Sequence, residues 1–199
     1  MSANNAMLEP ANFPILIPGA PATRPFTLAP NAPASLAMTD FRSAPIVTTV
    51  FNASIDDALN QMKLSGARFA FVLGAERQIV GAITSYDIQS EKPVQYMVSV
   101  GCTETTCAWR DVQVENIMVP VAEWQVLDYS HVQMMTLAEV AALVSESGLR
   151  YVVVVEAAAE GNARQVRGLF SATRLQMLLG GAEAAAVVTA AIGRVHSYA

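Results

Sequence analysis

Apolar positions along the chain change their spacing in a fixed order, and that order occurs twice. Ile55, Ala58, Leu59 and Met62 follow the i, i+3, i+4, i+7 stripe of a helix buried along one side, and Leu137, Val140, Ala141 and Val144 repeat it. Ser54 and Thr136 stand where an N-cap accepts a bond from an orphan backbone donor. Asp57 and Glu139, three residues on, can reach back as a capping box does. Gly66 and Gly148 sit where a left-handed residue ends each helix. Apolar runs follow, Phe69 to Leu73 and Tyr151 to Val155; without alternation, they predict strands covered on both faces. A short turn in the first half and a longer one in the second lead to Ile79–Ile83 and Val166–Phe170, which complete hairpins. Closing helices are expected from about Ser85 and Ala172. Caps (54 and 136) and following aromatics (69 and 151) share one offset of 82 residues.

The doubling predicts an α/β (α+β) fold of two βαββα units. Each is too small to shield its own apolar faces, so they pack together as a pseudo-two-fold pair. Residues 1–40 hold seven of the ten prolines. They read as an extended or disordered arm, part of which lies along the body or a partner subunit, because each proline removes a donor and fixes φ. Repeat one is expected over 42–111, with a loop insertion at 89–111. Repeat two is expected over 112–180, and a C-terminal helix and tail over 181–199.

Composition narrows the function classes. With 53% hydrophobic and 15% charged residues, the chain needs a sizeable core or a partner interface. A net charge of -5, with Lys and Arg scattered singly, argues against nucleic acid and anionic membrane as partners. The apolar stretch from Leu175 to Ile192 is broken by Gly180–Gly181 and carries Glu183, so no bilayer span is expected. The N-terminus lacks a charged start and an uninterrupted apolar run, and a cytoplasmic location is expected. Cys102 and Cys107 are too few for a disulfide framework and are read as reduced thiols in a loop. No metal constellation, and no convergent nucleophile and base, marks an enzyme.

The sharpest local signal is Gly81-Ala82-Ile83-Thr84-Ser85-Tyr86-Asp87-Ile88. Gly81 permits close backbone approach. Thr84 opens a helix whose N–H groups face any anion, and Asp87 lies one turn on. A hydroxyl and helix N-terminus for phosphate, with a carboxylate for ribose, makes a nucleotide grip. The same two residues also suit a plain helix cap.

The glycine, two apolar residues, Thr or Ser, two variable residues, Asp and an apolar residue resemble the motif of the cystathionine-β-synthase (CBS) domain. With the doubled pattern, residues 42 to 180 resemble a stand-alone tandem CBS pair, or Bateman module. Val114-Glu115-Asn116-Ile117-Met118 resembles the short helix and Met that introduce a second repeat.

The resemblance implies a regulatory module that binds AMP, ATP or S-adenosylmethionine between the repeats, with no obligatory cofactor, and signals to an unknown regulated protein. It implies a homodimer. Carried over by position, Thr84 contacts phosphate, Asp87 contacts ribose, and Ile46, Val47, Phe69 and Ala70 lie near the base. The second copy keeps Gly168 and Ser171 but has Arg174 where Asp belongs. That half-site is either empty, or Arg174 meets a phosphate, or it forms a surface ion pair. A ligand-free structural or interaction dimer is the alternative. Arg68 and Arg150 recur before the strands and are read as helix-end or surface residues, and Trp124 as a packing anchor.

Overall fold

The computed structural model describes residues 26–102, 108–158 and 163–180. The expected C-terminal helix at 181–199, most of the arm, residues 103–107 and the centre of the second hairpin turn lie outside them.

The described strands form two four-stranded sheets. In the first, β2 (Thr48–Val50) pairs parallel with β3 (Phe69–Leu73), β3 antiparallel with β4 (Ile79–Thr84), and β4 antiparallel with β5 (Val119–Pro120). In the second, β6 (Val126–Asp128), β7 (Tyr151–Ala157), β8 (Arg164–Ser171) and β1 (Thr39–Asp40) pair in the same pattern. The helices are α1 (Ile55–Leu64), α2 (Ser85–Gln89), α3 (Lys92–Ser99), α4 (Tyr129–Val132), α5 (Leu137–Ser147) and α6 (Ala172–Leu178).

Local chemistry sets the helix ends. Ser54 Oγ accepts from Asp57 N at the start of α1, and Thr136 with Glu139 makes a reciprocal capping box at α5. Gly66 and Gly148 take φ of 64° and 66°, which a side chain would make costly.

Each sheet sends alternate residues to opposite faces. Ala70, Val72 and Ile83 join α1 and α2 in one core, and Val152, Val154 and Phe170 join α5 and α6 in another. Phe69, Phe71, Tyr151, Val153 and Leu169 face the other way and form a third core where the two sheets meet. Phe71 touches Phe41, Phe69 and Trp124 edge-on or tilted, with centroids 5.7, 5.0 and 5.9 Å away.

Each sheet takes its outer strand from a segment preceding the other half. Residues 34–40 run as a short 3-10 helix, Met38 and β1. Residues 114–120 run as a short 3-10 helix, Met118 and β5. Ala34, Ala37 and Met38 are buried against the second half, as Val114 and Ile117 are against the first. The arm's carbonyls also satisfy the first turn of α5: Leu137 N donates to Ala32 O at 2.8 Å and Ala138 N to Pro30 O at 2.9 Å. The last residues of the proline-rich segment are thus built into the second half.

A charged cluster fastens this arm. Arg167, 5% exposed, hydrogen-bonds Asp40 of β1 and lies over the Tyr129 ring at 4.5 Å. Its Nε is 3.3 Å from Glu156 Oε2, an ion pair by distance without the alignment of a hydrogen bond. The Arg167 guanidinium, and then the Arg42 amide, hold the Asp40 carboxyl below its ordinary range.

One expectation is corrected. Cys102 is disulfide-bonded rather than reduced. A count of two cysteines reports their number and not their proximity. Cys107 lies outside the described residues. Among the described residues, no helix is long and apolar enough to cross a membrane.

Candidate functional site

A cavity of about 370 Å³ opens between the two halves, within the roughly 300–1,000 Å³ usual for small-molecule sites. One wall is the end of β4 and the start of α2–α3: Ala82, Thr84, Tyr86, Asp87, Ser90 and Lys92. The facing wall is the end of α5 and the start of β7: Gly148, Leu149, Arg150, Tyr151 and Val153. Phe69 and the connection Val119 and Glu123 to Gln125 close the rest.

Thr84 and Asp87 point together. Thr84 caps α2: its Oγ1 donates to Asp87 Oδ2 at 2.6 Å and accepts from Asp87 N at 3.1 Å. Thr84 N also donates to Oδ2, at 2.9 Å. The cap and the cavity lining are therefore the same two residues, and neither earlier reading excludes the other. Asp87 Oδ1 turns instead to Lys92, whose Nζ lies 2.5 Å away. The Asp87 side chain is 16% exposed and that of Lys92 42%.

Aromatic surface surrounds this polar corner. Arg150 sits over the Tyr86 ring, 4.5 Å from its centroid, and Arg68 Nη1 donates to the Tyr86 hydroxyl at 2.9 Å. The two arginines that recur at one offset thus converge on one tyrosine and tie the repeats together. Tyr151 packs against Phe69 at 5.2 Å, and burial, followed by the nearby Tyr86 hydroxyl, pushes its phenol above its ordinary range. Trp124 donates its indole N–H to Val119 O at 3.1 Å, which fixes the ring beside the cavity.

No protein-family model and no curated protein sequence matches the chain. Solved structures do match. An uncharacterized conserved protein from Pyrococcus horikoshii aligns over 74% of this chain and 92% of its own, at 19% identity and a TM-score of 0.50. A conserved CBS domain protein of unknown function from Thermoplasma acidophilum covers 78% of this chain and 76% of its own, at 17% identity and 0.49. The protein CBSX2, solved in complex with AMP, covers 72% and 93%, at 20% identity and 0.45. At such identities the likeness concerns fold alone. The chain shares the fold of the Pyrococcus horikoshii protein.

Within this doubled fold, the residues singled out in the sequence separate by the face they occupy. Thr84, Asp87 and Phe69 line the cavity. Ala70, next to Phe69, points into the helix-side core because a strand alternates, so the two cannot share the site. Gly81 is also turned away: a Cβ there would lie 2.8 Å from Met118 Sδ and from Val119 O. The missing side chain lets β5 approach closely there. Val47 packs on the first core and Ile46 is 46% exposed; neither lines this cavity. Ser171 and Arg174 stand at the start of α6, outside this cavity, and Arg174 is exposed.

Sequence reasoning missed Ala82, Tyr86, Lys92 and Tyr151 and undervalued Arg150 and Trp124. Ala82 was legible, since period two from Thr84 reaches it. The recurrence of Arg68 and Arg150 was legible too, although not their meeting at Tyr86. Lys92 lies in the stretch read as an insertion, and nothing in its spacing aims it at Asp87. Among the described residues, no group of three or more His, Cys, Asp or Glu side chains is placed to hold a metal.

Proposed function

We propose that this chain is a tandem CBS pair, a regulatory module that binds an adenine nucleotide or related adenosyl compound, AMP, ATP or S-adenosylmethionine, in the cavity between its repeats. In this reading it responds by shifting the repeats against one another for a partner protein, as a homodimer without catalytic activity of its own.

One observation carries the reading: Asp87, held by Thr84, faces a cavity that combines aromatic walls with two cations. Asp87 Oδ1 has acceptor capacity for a ribose hydroxyl. Lys92 and Arg150 offer donors to phosphate oxygens. Phe69, Tyr86, Trp124 and Tyr151 offer ring faces to a purine.

The alternative, a ligand-free interaction dimer, has its own support. Thr84, Asp87 and Lys92 satisfy one another with no ligand present. Isothermal titration with AMP, ATP and S-adenosylmethionine separates the two. Micromolar binding that Asp87→Asn weakens at least tenfold supports the sensor, and heat from none of the three leaves the interaction dimer.

A further inference from the structure

We infer that Lys92 selects among adenosyl ligands, favouring those that carry phosphate, by exchanging Asp87 for the ligand's phosphate on binding. The inference rests on the adenosyl reading of the cavity.

Lys92 belongs to α3, a helix of the connection between the repeats rather than of the βαββα unit. Its ammonium reaches into the cavity and occupies Asp87 Oδ1. Oδ2 is already used twice by Thr84. Oδ1 is therefore the oxygen open to a ribose hydroxyl; it can accept one beside Lys92, and only a ligand whose phosphate then draws the ammonium away completes the exchange.

A displaced ammonium inside a partly closed cavity needs a new anion. A phosphate supplies one. Adenosine supplies none, and S-adenosylmethionine places its sulfonium, a like charge, next to the ribose where AMP places phosphate, with its carboxylate farther out. Arg150 strengthens the preference: among the described residues its guanidinium makes no ion pair and rests on the Tyr86 ring. The charged side chains lining the cavity are Asp87, Lys92, Glu123 and Arg150. Two of each sign cancel, so discrimination comes from the pair exchange and not from net charge.

The exchange also has a mechanical consequence. Lys92 N donates to Ser90 Oγ at 3.2 Å, and Ser90 Oγ donates to Asp87 O at 2.8 Å. Moving Lys92 off Asp87 acts directly on the joint between α2 and α3. Beyond that joint, α3 presents Val94 and Val98 to solvent, 48% and 71% exposed.

The test is a titration of adenosine, AMP and S-adenosylmethionine into wild type, Lys92→Met and Lys92→Arg. Lys92→Met is expected to cut the preference for AMP over adenosine by about tenfold, the value of one charge-assisted hydrogen bond at a half-exposed site. It leaves adenosine binding equal or tighter and strengthens S-adenosylmethionine. Lys92→Arg keeps the preference. In wild type, AMP but not adenosine alters hydrogen exchange across residues 92–99, a readout that does not need the variant to fold. An unchanged AMP-to-adenosine ratio in Lys92→Met, or the same exchange response to both ligands, overturns the role of Lys92 while leaving the adenosyl site standing. Failure of wild type to bind any of the three overturns the adenosyl site itself.

Discussion

Gly81→Ala tests what the motif glycine is for. The residue lies in β4 opposite Pro120 of β5, and its φ is not in the left-handed region, so the backbone tolerates alanine. The added Cβ would stand 2.8 Å from Met118 Sδ and 2.8 Å from Val119 O, where ordinary contact begins near 3.4 Å. The thioether can swing aside. The carbonyl belongs to the β5 ladder, so β5 must retreat by about 0.6 Å, the difference between those two distances. Overpacking of this kind costs about 1–3 kcal/mol, and the loss of glycine's freedom in the unfolded chain returns about 0.4–1 kcal/mol. A net loss of about 1–2 kcal/mol follows. With a urea slope of roughly 2 kcal/mol per M, the midpoint falls by about 0.5–1 M. Because Val119 lines the cavity, the retreat of β5 also weakens ligand binding. Gly168→Ala is the matched control. Its Cβ would lie 2.5 Å from Met38 Sδ and 2.8 Å from Thr39 O, neither of which lines that cavity. It should lower the urea midpoint similarly and leave binding intact. An unchanged or raised midpoint for Gly81→Ala would refute the account of the glycine as a spacer for the edge strand.

Other perturbations address the remaining supports. Thr136→Ala removes the cap of α5 and should cost about 1 kcal/mol by urea denaturation; a loss near zero would mean that the arm's carbonyls at Ala32 and Pro30 suffice alone. Arg167→Met leaves Asp40 and Glu156 without their shared buried partner and should lower the urea midpoint, a loss that Asp40→Asn partly restores in the double variant; a strictly additive double variant would deny the coupling. The Asp128 carboxyl is held down to about 2, first by the Ser130 hydroxyl, then by the Ser130 amide and Arg164. The unfolded chain binds that proton near pH 3.9. The stabilisation is therefore complete above that pH and is lost as pH falls toward 2. The melting temperatures of wild type and Asp128→Asn should differ at pH 6 and converge at pH 2, and a gap independent of pH would count against the assignment.

Much of each half was legible because the signals are local. Helix stripes, caps at Ser54 and Thr136, and the left-handed Gly66 and Gly148 depend on residues within one turn of one another. The Thr84–Asp87 pair was legible for the same reason, since three residues on a helix start bring a hydroxyl and a carboxylate together. What escaped was the outer strand of each sheet. Ala34 to Met38 carries the same short helix and methionine as Val114 to Met118, at a spacing of 80 residues. The prolines before it made the whole segment read as an arm.

Sequence alone thus determined the doubled unit, its periodic faces, its helix ends and the polar corner at Thr84 and Asp87. Tertiary structure decided which side of each strand meets the other sheet, that Arg68 and Arg150 converge on Tyr86, and that Lys92 closes on Asp87. The reason is physical. Periodicity records that a face is buried, whereas the identity of the surface burying it depends on how two sheets far apart in sequence settle against each other.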